Sequence, residues 1–438
     1  MSLINDIEKL VGDEIISQET ANRIRAYYNS KEANSSNRLL VIFGVLGAFL
    51  IGLGIILIIA HNWDQLPRFV KTTFAFIPLL IGQGLCGYTL WKKKESQTWR
   101  ESSSIFLILS IGAAIALISQ VYHLQGDMQG FLLIWMTLSL PVVYLMTSSV
   151  SSLLYITGTF FFTIASFDNN SPIENPLVNW LLIGLIIPYY LYILKYRNAS
   201  NATSFHHWFI PITMIIATIY STISAEYVVA PVLLALFGSF YMIGHLEQTN
   251  SMRLRANGYL IIGALGTICM LLAFTFSGYW EWIAENENNW IPETIYSQII
   301  AVVIMCSAIA LFAKHIMSKT FNELTPIMPI FIIFIVLILI SGFSPGASQL
   351  LTNFIILAIA VLTIKSGVEQ DHLGILNYGL IIITALLICR FFDTDLNFVL
   401  RGILFIVVGV AFFITNNILI KKRSRAQQNA SYKSIPES

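Results

Sequence analysis

The run Leu39-Leu40-Val41-Ile42-Phe43-Gly44-Val45-Leu46-Gly47-Ala48-Phe49-Leu50-Ile51-Gly52-Leu53-Gly54-Ile55-Ile56-Leu57-Ile58-Ile59-Ala60 decides the fold class. It carries no charged or hydrogen-bonding side chain and has about the 20 apolar residues that a helix needs to cross a bilayer core. A helix on the surface of a soluble core would show a polar face instead. Such runs recur along the chain. Of its 438 residues 56% are hydrophobic and only 11% charged, with a mean hydropathy of +0.72. That is less than half the roughly 25% charge of soluble domains. A single soluble core, a disordered chain, a disulfide scaffold and a nucleic-acid binder are excluded. The 25 Lys and Arg nearly balance the 24 Asp and Glu, so bulk charge points to no partner.

From Leu39 onwards about 14 runs read as transmembrane helices: 39–61, 69–91, 102–122, 130–147, 149–167, 177–196, 207–224, 227–246, 257–276, 295–317, 324–341, 347–365, 372–390 and 397–420. The expected fold is all-α: a polytopic helical integral membrane protein with a small N-terminal cytoplasmic helical hairpin. Residues 1–38 form that hairpin and its linker, 39–420 the transmembrane domain and 421–438 a basic cytoplasmic tail. In the hairpin Ile7, Leu10 and Val11 recur at helical spacing and Gly12 stops the first helix. Ser17 caps the second, with Glu19 in its first turn and Ala21, Ile24, Tyr27 and Tyr28 on one face. The hairpin is too small for a core of its own. It suits a cytoplasmic partner or self-association through residues 1–30.

Charge placement gives the orientation. With alternating spans, the N-terminal side receives every Lys and Arg except Arg68, Lys71, Arg390 and Arg401, while the acidic residues divide almost evenly. The excess of cations places both termini in the cytoplasm. The expected location is the bacterial cytoplasmic (inner) membrane, with lipids as the surrounding partner.

The far-side exceptions lie in or beside turns. Asn62-Trp63-Asp64-Gln65-Leu66-Pro67 precedes Arg68. Ser119-Gln120-Val121-Tyr122 leads to Gly126-Asp127. Arg390 and Arg401 bracket Phe391-Phe392-Asp393. Charges at a membrane boundary are normally matched to each other or to a ligand. The candidate exoplasmic polar cluster is therefore Asp64, Arg68, Gln120, Tyr122, Asp127, Arg390, Asp393 and Arg401.

The motifs Gly52-Leu53-Gly54-Ile55 … Asn62-Trp63-Asp64-Gln65-Leu66-Pro67 and Ile118-Ser119-Gln120-Val121-Tyr122 … Gly126-Asp127 resemble a bacterial membrane family known as domain of unknown function 2157. The opening, with Glu14-Ile15-Ile16-Ser17, is similar to that family's N-terminus. Arg390-Phe391-Phe392-Asp393 … Arg401-Gly402 is similar to the ending of its longer members. The resemblance covers residues 1–130 and 377–420. It implies a polytopic bacterial membrane protein and supplies no activity.

Structural readings stand beside each functional one. Trp63 suits the interfacial belt, and Pro67 starts the second span. Arg390 and Asp393, three apart, pair at a helix end. His61, Asp64, His123 and Asp127 lack metal-ligand spacing, so no metal is assigned. His206-His207 read as a solvated boundary. Ser277–Thr294, with Trp280, Trp282 and Trp290, reads as an interfacial helix anchored by tryptophans, the alternative being a sugar- or cation-binding loop. Gly258, Gly263 and Gly266 read as close helix packing. Cys86, Cys269, Cys306 and Cys389 read as small hydrophobes. No nucleotide or cofactor fingerprint is present, and no basic-aromatic stripe for nucleic acid.

Three function classes follow. A secondary transporter or flippase-like carrier suits the span count and the missing ATP motif; it expects a water-filled cavity. A membrane enzyme with an exoplasmic Asp/Arg site, acting on a lipid-linked phosphate or glycan, would use Arg390 and Arg401 on phosphate and Asp64 or Asp127 as base. A non-catalytic scaffold or sensor would use the hairpin for recruitment. The carrier, with a small-molecule or lipid-linked substrate, stands first.

Overall fold

A computed structural model of the chain describes residues 17–24, 65–168, 175–198, 200–246, 253–285, 295–318 and 325–391, with a few single positions besides (11, 12, 249 and some between 399 and 413). The chain divides into two units, Met1–Phe76 and Ile77–Ser438. In the first, residues 18–24 are helical, and the Ser17 hydroxyl accepts from the Thr20 N–H at 3.3 Å, as an N-cap does. Glu19 and Arg23 pair at 3.0 Å one turn apart. The first expected helix, apart from residues 11 and 12, lies outside the described residues.

The long helices are α1 (Arg68–Lys92), α2 (Gln97–Tyr122), α3 (Met128–Met146), α4 (Ser149–Ala165), α5 (Leu177–Tyr196), α6 (Asn201–Thr222), α7 (Glu226–Gly244), α8 (Gly258–Ala273), α9 (Ser277–Glu285), α10 (Ile295–Ser318), α11 (Ile330–Ser341), α12 (Pro345–Glu369) and α13 (Leu373–Phe391). No strand occurs among the described residues. Every apolar run expected between residues 69 and 390 overlaps one of these helices, although α11 fills only 330–341 of the run 324–341. Nine helices among the described residues are long and apolar enough to cross a membrane, and ten if α8 and α9 count as one bent span. Two further apolar helices outside that count are shorter than a straight crossing needs: α4 with 17 residues and α11 with 12. The runs 39–61 and 397–420 fall outside the described residues but for isolated positions.

Local chemistry sets the boundaries. Ser148 caps α4, Ser200 caps α6 and Asn257 caps α8. Ser344 caps α12, and Pro345 follows in the first turn. Thr147 turns left-handed at φ 46°, so α3 and α4 meet across two residues and are separate helices. Inside the bundle, serine and threonine hydroxyls bond back to carbonyls one turn earlier, as Thr159 does to Tyr155 at 3.0 Å. This satisfies polar groups where no water competes.

Helix α7 is the hub of the second unit. It packs against α6, α8, α10 and α11, with 72% of its spanning window buried. Its contact with α8 depends on Gly263: a Cβ there would lie 2.4 Å from the Tyr241 nitrogen. Helices α12 and α13 meet as closely, since a Cβ at Gly379 would come within 2.9 Å of the Ala360 oxygen. The expected packing role of Gly258, Gly263 and Gly266 is what the structure shows, each abutting α6 or α7.

Candidate functional site

The expected span 257–276 holds α8 and ends in a sharp bend. Helix α8 ends at Ala273, and α9 starts at Ser277 after a bend of 75°. A bend of this kind frees backbone carbonyl groups, which need partners. The Phe274 oxygen accepts from Trp280 Nε1 at 2.7 Å. The Thr275 oxygen accepts from Arg390 Nη2 at 2.6 Å, from Gln349 Nε2 at 3.1 Å and from Asn353 Nδ2 at 3.5 Å. Asn353 also donates to the Gln349 oxygen at 2.8 Å. The Arg390 guanidinium stands 5.1 Å from the centre of the Phe276 ring. Groups from α12 and α13 thus converge on one carbonyl at the negative end of α8, where a cation is favoured.

The segment expected as an interfacial helix begins with α9. Trp280 is fully buried against Phe274 and Phe334. Trp282 stacks on Tyr227 at 4.7 Å, tying α9 to the start of α7. Trp290, Glu287 and Glu293 lie outside the described residues.

The other sequence-derived site residues take separate places. Asp127 caps α3, its Oδ1 accepting from the Gly130 N–H at 2.8 Å, and it is exposed. Gln120 and Tyr122 are exposed on the last turn of α2. Arg68 is exposed at the first position of α1. Asp64, Asp393 and Arg401 lie outside the described residues.

A second polar assembly escaped the sequence reading. Glu101 of α2 sits at the N-terminus of α4, accepting from the N–H groups of Ser149 and Val150, each at 3.0 Å, and from the Ser148 hydroxyl. Arg100 beside it donates to the Thr147 hydroxyl. Ser151 bonds Ser104 at 2.8 Å, and Ser149 lies 3.3 Å from the Tyr189 hydroxyl. Ser152 bonds His206 Nε2 at 2.8 Å, while His206 Nδ1 faces the Ala202 oxygen at 2.7 Å. A carbonyl only accepts, so Nδ1 carries the proton and Nε2 accepts from Ser152. This pairing resembles a nucleophile and base, but both residues are fully buried. Its part in the molecule is to lock α4 to α6.

His206 and His207 therefore correct the expectation of a solvated boundary: both are wholly buried. His207 sits edge-on to Tyr190 and Tyr259, with ring centres 5.8 and 5.4 Å away. The signal in the sequence was the serine density of Glu101-Ser102-Ser103-Ser104 and Ser148-Ser149-Val150-Ser151-Ser152, placed where apolar runs should continue. Serine at that density inside a membrane domain marks helix contacts.

Pockets among the described residues of the second unit include two with apolar walls. One, about 10 Å³ and lined by residues such as Ile156, Ile183 and Ile210, is too small for more than one water. The other, about 370 Å³, is a groove between α7, α10 and α11 with apolar walls. Neither is the water-filled cavity expected of a carrier.

No curated protein matches the chain, and no solved structure matches it. The resemblance drawn from the asparagine-tryptophan-aspartate turn and the glutamine-tyrosine turn is met by a family model, which ends short of the C-terminal motif. Over residues 8–152 the chain matches the family described as Predicted membrane protein (DUF2157).

Proposed function

We propose that this multi-pass protein is a secondary carrier of the bacterial cytoplasmic membrane, with about 14 spans and both termini in the cytoplasm. The N-terminal hairpin then lies on the cytoplasmic side. The observation that carries the reading is the broken α8–α9 span, whose Thr275 carbonyl is held by Arg390, Gln349 and Asn353. Backbone carbonyls freed at such a bend need partners, and discontinuous helices take part in substrate and ion handling in secondary transporters. The apolar pockets fit a closed state, in which movement of the short α9 about the break opens the path. Arg390 is one of the groups that hold the bend in place.

Proteoliposomes holding the full chain test this in two arms. Solid-supported-membrane electrophysiology under sodium or proton gradients, across panels of organic ions and sugars, reads a solute carrier. Dithionite bleaching of a fluorescent phospholipid reads a flippase. Flux in either arm that Arg390→Ala abolishes supports the reading. Folded protein silent in both arms removes it.

A further inference from the structure

The groove between α7, α10 and α11 has a volume of about 370 Å³ and is lined by Val228, Val232, Ala301, Met305, Ile338 and Leu339 among others, every one apolar. Short side chains on α7 and α10 open it. Water is a poor occupant, because it needs two to four polar partners and finds none here. The volume is more than twice the ~150 Å³ apolar cavity that accepts a benzene molecule, which leaves room for roughly a dozen carbon atoms. Its rim is open, with Val302 60% and Leu339 64% exposed.

Depth and polarity narrow the choice. On α10 the lining ends at Cys306, 11 residues after Ile295, or ~16 Å along the axis at 1.5 Å per residue. That is about half of a ~30 Å hydrocarbon core, the depth of one leaflet. At the same end stands an amphipathic rim. Tyr227, next to Val228, stacks on Trp282, and the Ser224 and Ser297 hydroxyls meet at 3.4 Å. Aromatic and hydroxyl groups of this kind sit at headgroup level in membrane proteins. We infer that this groove is a specific site for one acyl chain of a membrane phospholipid, its headgroup at the Tyr227–Trp282 pair. The inference does not depend on the carrier reading, since a bound chain belongs to the resting fold.

The test uses the full chain in nanodiscs with a phospholipid bearing a diazirine on its acyl chain, and maps the photoadducts by mass spectrometry. Phe354 of α12 is the reference, being 60% exposed and at comparable depth from its helix start. Adducts on Val302, Met305 and Leu339 are expected several-fold above Phe354. Ala301→Trp, which fills the groove, should remove them and leave Phe354 labelling unchanged. If that variant fails to fold, Val302→Phe at the exposed rim serves the same purpose. Equal labelling at the groove and at Phe354, insensitive to either substitution, means ordinary boundary lipid and overturns the site. Disulfide linkage between two copies through Cys306, with the other cysteines replaced, means a second copy occupies it and overturns it as well.

Discussion

Arg390 donates to the carbonyl oxygen of Thr275 at 2.6 Å, across 115 residues of sequence. The bond joins the last turn of α13 to the break between α8 and α9, so the end of one span fixes the bend of another. Hydrogen bonds to charged groups contribute about 1.5–3 kcal/mol. Arg390→Ala should cost an amount in that range, seen as a lower melting temperature in detergent. Arg390→Lys should recover part of it, as a point charge near the negative end of α8. A melting temperature unchanged by Arg390→Ala would mean that Gln349 and Asn353 suffice.

Glu101 makes the corresponding join at the end of the bundle where α3 turns into α4. Its carboxylate neutralises the positive end of α4 and accepts three donors. Glu101→Ala should destabilise the protein by about 1–3 kcal/mol by leaving buried donors unpaired. Glu101→Gln should cost less, because one oxygen still accepts. Equal melting curves for wild type and Glu101→Ala would remove this account.

Close packing at Gly263 makes a sharper forecast. Any side chain there meets the Tyr241 backbone at 2.4 Å, so relief requires α7 and α8 to separate. Gly263→Val should abolish folded protein in size-exclusion profiles. Gly84→Ala is the contrast: the added methyl would meet nothing within 4 Å, and helix propensity favours alanine by about 1 kcal/mol. That variant should be neutral or slightly stabilising.

Orientation can be read by cysteine labelling on a background lacking the four native cysteines. Gln125→Cys and Ser344→Cys, both at exposed positions, should react with an impermeant maleimide added outside intact cells. Lys94→Cys and Gln370→Cys should react only after lysis. The reverse pattern overturns the orientation drawn from the Lys and Arg distribution, and a mixed pattern overturns the alternation of spans.

The fold class was legible because membrane insertion imposes a demand on every span separately: about 20 apolar residues, with charges kept to the ends. Nine helices between Arg68 and Phe391 answer that demand locally, and the cap at Ser17 was read the same way. Composition alone settled these features. The boundary after residue 276 was legible, but the sharpness of the bend there was not, because Phe274-Thr275-Phe276 carries no proline or glycine. The bend exists because Trp280, Gln349, Asn353 and Arg390 satisfy the carbonyls it frees, and three of those residues come from other helices. The serine network around Glu101 was hidden for the same reason. A serine reads as weakly polar wherever it stands, and only packing decides whether it faces lipid, a carboxylate or His206. Sequence by itself determined that helices cross a membrane; tertiary contact decided which polar groups meet, since hydrogen bonds join residues by position in space.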